Sequence, residues 1–252
     1  MMPDALFDHP RVARVYDPLD PDRSDLDTYM SLVDEFGPTA VLDVGCGTGT
    51  LCSRLVTERG LRVLGVDPAG ASVGVARAKP GADRVTWMVG IASDVAADSV
   101  HRAQYDLATM TANVAQVFLD DEEWLANLRA IRACLRLGGH LAFESRVPAD
   151  RAWERWTKEL THQVVEVEGE GPVEDWVEVI QVDGELVTFE SPTIFRADGE
   201  RIDSTSTLRF RTREALERSL AAVGFTDVEV RDLPYAPGRG WLVIARAGQE
   251  AG

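Results

Sequence analysis

The chain has little cysteine, little histidine and no long apolar run, and each absence removes a class of function. Its three cysteines, Cys46, Cys52 and Cys134, form no C-x-x-C pair and show no metal-ligand spacing. An odd number of thiols inside apolar segments reads as reduced structural cysteine, not a disulfide framework. The four histidines are scattered and build no zinc site. No stretch approaches the ~20 consecutive apolar residues of a membrane span. Residues 1–9 lack the basic-then-apolar order of a signal peptide. Basic runs are missing too: 26 Lys and Arg face 42 Asp and Glu, a formal net charge of −16. A field of that sign repels nucleic acid and keeps the chain soluble. The expectation is a cytoplasmic enzyme, monomer or homodimer, with no metal, membrane or nucleic-acid partner.

Apolar residues make up 45% of the 252, enough for a packed core in one large domain or a domain with an insertion. The most informative stretch is Val41-Leu42-Asp43-Val44-Gly45-Cys46-Gly47-Thr48-Gly49-Thr50. A short apolar run ends, three glycines alternate with small residues, and a helical pattern begins. This predicts a buried strand turning sharply into a helix N-terminus, where backbone N–H groups face a ligand. Asp43 would repel a pyrophosphate but suits a cofactor carrying cationic groups. Thr50 stands where a dinucleotide fingerprint requires its third glycine. Asp67 ends a second apolar run (residues 62–67), with Pro68 after it. It lies about 20 residues past the turn, where α/β nucleotide folds place a ribose-binding carboxylate.

D-x-G-x-G-x-G resembles motif I of the class I S-adenosylmethionine-dependent methyltransferases. The resemblance covers residues 41–143 well and 213–246 in outline. It implies S-adenosylmethionine as cofactor and a Rossmann-like, doubly wound, mostly parallel seven-stranded sheet with a terminal antiparallel hairpin. Gly45, Cys46 and Gly47 would line the cofactor's amino-acid end, with Asp43 near its cationic groups. Asp67 would hold the ribose, and Ile91 and Ala92 would border the adenine. The family usually carries an acid where Ile91 stands, so adenine recognition is expected to be apolar, through the backbone, or through Ser93 or Asp94. Residues 12–29 resemble the family's N-terminal cover, with Tyr16 the candidate to close over the cofactor.

Strands are expected at residues 85–90, 105–110 and 140–145, and Asp121 is expected to cap a helix that Gly138-Gly139 ends. A further helix is expected at residues 25–36, capped by Ser24. The loop after the fourth strand carries Thr111, Asn113 and Gln116, which can orient a polar acceptor but cannot take a proton at neutral pH. Glu144 and Arg146 lie at the productive end of the fifth strand, where either could contact substrate, though a mutual ion pair or a lid contact is the commoner reading. Catalytic candidates are therefore Asn113, Gln116 and Glu144, and Thr111 joins the cofactor set.

From residue 162 to 210 the periodicity drops to two, with turn signals at Asp183-Gly184 and Asp198-Gly199. An antiparallel sheet of about four strands is expected there, resembling the β-layer that small-molecule methyltransferases insert over the active site. His162, Trp176 and Phe195 are its pocket candidates, though core packing suits each. The resulting organisation is an N-terminal helical cover (1–37), a cofactor-binding core (38–147 and 211–247) and an inserted substrate-binding layer (148–210). The expected activity is methyl transfer to an O or N atom of a small molecule. An NAD-dependent oxidoreductase and a non-catalytic cofactor-binding protein stay open as alternatives.

Overall fold

The computed structural model describes residues 4–249. By its sequence the stretch 248–252 reads as a frayed tail, of which residues 250–252 lie outside the described residues. Gly248 is not frayed: its N–H donates to the Gly224 carbonyl, and its own carbonyl accepts from Arg132.

The chain opens with helices α1 (Ala5–Asp8), α2 (Pro10–Leu19) and α3 (Leu26–Phe36). Pro10 takes the first position of α2, where its missing N–H costs nothing, and Pro18 falls in the last turn. No side chain caps α3, so Ser24 does not do what its position suggested; its N–H instead donates to Asp22. Gly37, at φ +58°, stops the helix.

Strands and helices then alternate: β1 (Ala40–Val44), α4 (Thr50–Arg59), β2 (Arg62–Asp67), α5 (Gly70–Ala76), β3 (Val85–Val89), α6 (Ala92–Ala97), β4 (Tyr105–Met110), α7 (Asp121–Cys134) and β5 (Leu135–Arg146). Asp120, one residue before the expected Asp121, caps α7 by accepting the Glu122 and Glu123 N–H groups. Gly138 and Gly139 do not end that helix, which stops at Cys134; both lie inside β5. Gly139 is needed because a Cβ there would come 3.1 Å from the carbonyl oxygens of Tyr105 and Asp106 on the neighbouring strand.

After β5 come α8 (Lys158–Thr161), β6 (Gln163–Val167), β7 (Gly171–Asp175), β8 (Glu178–Asp183), β9 (Leu186–Glu190), β10 (Thr193–Phe195), β11 (Glu200–Ile202) and β12 (Thr205–Arg209). The chain closes with α9 (Arg213–Ala222), β13 (Phe225–Asp232) and β14 (Gly240–Ala247).

The main sheet has seven strands in the order β13-β14-β5-β4-β1-β2-β3, parallel except for the final hairpin. β1 and β4 are buried along their whole length, as central parallel strands must be when helices cover both faces. One apolar core, with Leu42, Trp124 and Phe143, fills one face; α3 and α4 pack a second, with Val41, Leu51 and Leu107, on the other. Strand order reverses between β1 and β4, so the ligand crevice lies outside their carboxyl ends.

The insertion differs from expectation. It forms two antiparallel sheets, β11-β10-β7-β6 and β12-β9-β8, where a single sheet of about four strands was expected. The alternating stretch breaks at Trp176-Val177: Trp176 is buried, and the Thr161 hydroxyl takes both backbone groups of Val177 that would otherwise continue a strand.

Candidate active site

The glycine turn is built as its spacing requires. Gly45, Gly47 and Gly49 all hold positive φ, +72°, +52° and +78°. At Gly49 a Cβ would lie 2.5 Å from the Trp87 ring and 2.7 Å from Ala76. Not every N–H in the turn is free, however. Gly45 and Cys46 both donate to the Val66 carbonyl, and Gly47 donates to Asp67 Oδ2 at 2.8 Å. The open donors belong to the first turn of α4, whose cap, Gly49, offers no side-chain acceptor.

Asp43 sits beneath the turn, only 1% exposed. Its oxygens accept from the Thr109 hydroxyl at 2.7 Å and from the Cys52 thiol at 3.3 Å. Burial pushes its pKa up to about 6, with those two hydrogen bonds opposing the rise. Asp67 ends β2 with Oδ1 on the Ala69 N–H and Oδ2 on Gly47, and burial raises its pKa despite both bonds. Each oxygen keeps a further lone pair. Pro68 follows, half-buried. Past β3, Ile91 is 43% exposed and Ala92 is buried; the Ile91 N–H donates to Asp94 Oδ2 at 2.9 Å. A carboxylate thus stands at this strand end, three residues after the expected position.

Helices α1 and α2 lie over the ends of β1 and β2. Asp17 reaches the Thr48 hydroxyl at 2.7 Å and Lys79 Nζ at 2.6 Å, and Lys79 also donates to Thr50 at 2.6 Å. This latch ties the cover to the glycine turn. Tyr16 is half-buried beside Phe7, ring centroids 5.8 Å apart, and burial raises its phenol pKa. The underside of α2 packs Val12 and Val15 against Val167, Val173 and Phe195 of the inserted sheet. Arg11 lies 3.7 Å over the Phe195 ring and reaches Glu170, Asp198 and Glu200. Phe195 is therefore core rather than pocket, as is the buried Trp176; its neighbour His162 is exposed and pairs with Glu174.

Beyond β4, Thr111 is buried and Asn113 adopts φ +61°, a left-handed turn that asparagine tolerates. That geometry aims both Asn113 N–H groups at Glu144 Oε1, the backbone one at 2.9 Å and the side-chain one at 3.2 Å. Glu144 Oε2 accepts from the Tyr29 hydroxyl at 3.3 Å and from Tyr235. Burial pushes this carboxyl above its ordinary range, with the Tyr235 hydrogen bond the largest opposing influence. Glu144 and Arg146 do not pair. Arg146 instead donates to Gln116 Oε1 at 3.0 Å and stacks 5.1 Å from the Trp156 ring.

The structure thus groups Asn113, Glu144, Tyr29 and Tyr235 in one cluster and Gln116, Arg146 and Trp156 in the next. The sequence reading missed Tyr29 and Tyr235. Tyr29 reads as one more apolar residue on a helix face. Tyr235 had a signal, since a loop opening a strand antiparallel to β5 must lie at the carboxyl end of β5. Among the described residues no cluster of three or more His, Cys, Asp and Glu could hold a metal, and no helix is long and apolar enough to cross a membrane.

The family described as "Methyltransferase domain" matches residues 41–139. The cypemycin N-terminal methyltransferase of Streptomyces sp is 34% identical over 110 residues, which are 44% of this chain and 43% of that protein, so the match spans less than half of either. Among solved structures, the CcbJ methyltransferase of Streptomyces caelestis superposes with a TM-score of 0.73 at 19% identity, covering 94% of this chain and 96% of that one. CalS10, an amino pentose methyltransferase of Micromonospora echinaspora solved with bound S-adenosylmethionine, gives 0.68 at 24%, covering 92% and 95%. At those identities the likeness speaks for the fold. Residues 41–139 thus match a methyltransferase domain, and the fold of the chain is that of solved S-adenosylmethionine-dependent methyltransferases.

Proposed function

We propose that this protein transfers a methyl group from S-adenosylmethionine to an amine nitrogen of a small molecule. The single observation that carries the choice of nitrogen is Glu144, a buried carboxylate at the crevice end of β5. Its partners are neutral donors, Asn113, Tyr29 and Tyr235, and among the described residues no cation forms a salt bridge with it. An amine reaches the site protonated at neutral pH and cannot attack until it loses a proton. A carboxylate whose pKa lies above the ordinary range accepts that proton and attracts the ammonium beforehand. The names of two relatives, an N-terminal methyltransferase and an amino pentose methyltransferase, support the same choice.

The residues fit the cofactor. Open N–H donors at the start of α4 suit its carboxylate, and buried Asp43, without a cationic side chain bonded to it, suits its ammonium and sulfonium. In this reading Asp67 accepts from the ribose hydroxyls, Asp94 or the backbone beside Ile91 and Ala92 receives the adenine, and Tyr16 closes over it. Gly45, Cys46, Gly47, Pro68 and Thr111 form the walls. Bound there, the cofactor would supply an electrophilic methyl carbon on a cationic sulfur, with the leaving electron pair staying on that sulfur. Glu144 would take the proton of the acceptor nitrogen and so free its lone pair for that carbon. Alignment and water exclusion do the rest, and the latched cover serves both.

Isothermal titration with S-adenosylmethionine, S-adenosylhomocysteine and NAD, on wild type and Asp67→Ala, tests the cofactor assignment. Binding of the two adenosyl compounds but not NAD, weakened in the variant, supports it. Tight NAD binding, or no adenosyl binding, overturns it. Binding without turnover across amine and hydroxyl acceptors would instead support a non-catalytic protein.

A further inference from the structure

Glu144 and Arg146 are two residues apart on β5, so both side chains leave the same face, with Cα atoms about 7 Å apart. Oppositely charged neighbours in such a place ordinarily pair, yet these two are held apart by separate neutral partners. Glu144 is engaged by Asn113, Tyr29 and Tyr235. Arg146 is oriented by two hydrogen bonds to Gln116 Oε1, one from its guanidinium and one from its backbone N–H, and by the Trp156 face beneath it. Gln116 is fixed in turn, donating its Nε2–H to the Arg209 carbonyl. The other arginines around the crevice differ: Arg23 reaches Asp25, and Arg209 and Arg211 reach Asp121. Among the described residues no carboxylate forms a salt bridge with Arg146, whose side chain is half-buried; Glu144 acts on it across space but does not bond it. A partly buried cation without a bonded counter-charge is costly. Its remaining N–H groups form a planar fork suited to a bidentate carboxylate.

We propose that Arg146, backed by Gln116 and Trp156, binds an anionic group on the methyl acceptor, so that the acceptor is an amine that also carries a carboxylate, an amino acid or a close relative. This rests on the amine-methyltransferase reading above. The acceptor's nitrogen faces Glu144 while its carboxylate replaces the missing partner of Arg146. A phosphate would fit the fork equally well but would bring up to two negative charges beside Glu144, which repels them. A monoanionic carboxylate next to a cationic amine matches both charges. Arg146 is thus a specificity-determining residue, and the proton still goes to Glu144.

The test uses the full-length protein, wild type, Arg146→Gln and Arg146→Lys, each first shown to bind S-adenosylhomocysteine and to unfold at a similar temperature. The probes are the common amino acids and β-alanine, each against its amide, with phosphoethanolamine as the phosphate arm. Their binding to the S-adenosylhomocysteine complex and their methylation from S-adenosylmethionine are measured. We expect at least one acid to be methylated with a KM roughly tenfold to a hundredfold below that of its amide, the size of a lost charge-assisted pair. Arg146→Gln should remove that ratio mainly through KM, with a much larger loss for the acid than for its amide, and Arg146→Lys should restore part of it. An amide as good as its acid overturns the proposal. So does an Arg146→Gln loss equal for both, preference for the phosphate, or an S-adenosylhomocysteine complex that accepts none of the acids. Failure to bind S-adenosylhomocysteine would instead refute the underlying methyltransferase reading.

Discussion

Replacing Asp43 with asparagine should stabilise the ligand-free protein and weaken cofactor binding. Asp43 is 1% exposed, and its pKa is raised from 3.8 to about 6. At ~1.4 kcal/mol per pH unit, holding it ionised in the fold costs about 3 kcal/mol above its upper pKa. Asparagine keeps an oxygen for the Thr109 hydroxyl but gives up the acceptor facing the Cys52 thiol, a loss of about 1 kcal/mol. The variant should therefore be more stable by about 2 kcal/mol near pH 7.5. The sign follows from a pKa raised on folding: the wild-type carboxyl contributes most below about 3.8, and that contribution is lost as pH rises through about 6. The variant's advantage should shrink by about 1.5 kcal/mol between roughly pH 7.5 and pH 5. Urea unfolding of both ligand-free proteins across that range measures it. In parallel, titration should find S-adenosylmethionine bound at least about tenfold more weakly by the variant, which lacks the charge facing the cofactor's cations. Equal stability near pH 7.5, or a difference that ignores pH, refutes the reasoning.

Three further outcomes are expected. Gly49→Ala places a Cβ 2.5 Å from Trp87 on a residue at φ +78°, so urea midpoints should report a loss of about 2–5 kcal/mol. Tyr235→Phe removes the donor that holds the Glu144 pKa down; the acid limb of kcat/KM should move to higher pH, by up to about one unit, and an unmoved limb would remove Glu144 as the base. Lys79→Met opens the latch to Asp17 and should speed S-adenosylhomocysteine release in stopped-flow, while stability changes by less than about 1 kcal/mol because the pair is partly exposed.

The sheet was legible because its strands are short apolar runs punctuated by glycine and acid. The glycine turn was legible because three positive-φ positions in five residues admit little but glycine. Asp43 and Asp67 could be singled out by spacing, but their hydrogen-bond partners could not. That Gly47 donates to Asp67, 20 residues away, depends on how two adjacent strands end together. The same limit hid Tyr235, which reaches Glu144 across 91 residues, and the Asp17–Lys79 latch. The insertion misled for a local reason. Period-two alternation runs unbroken through Trp176-Val177, and only the Thr161 hydroxyl, 16 residues earlier, ends one sheet and starts the next. The α7–β5 boundary failed because the glycine pair serves close strand approach rather than helix termination.

Helix α2 has two faces in use at once. Its Asp17 end is fastened to the glycine turn, and its Val12 and Val15 side is part of the core of the β11-β10-β7-β6 sheet. A ligand held at the glycine turn would therefore be linked through a single helix to the order of that sheet, and linkage is reciprocal. Whatever free energy such a ligand lends to the sheet, the sheet returns in full by holding the ligand in place.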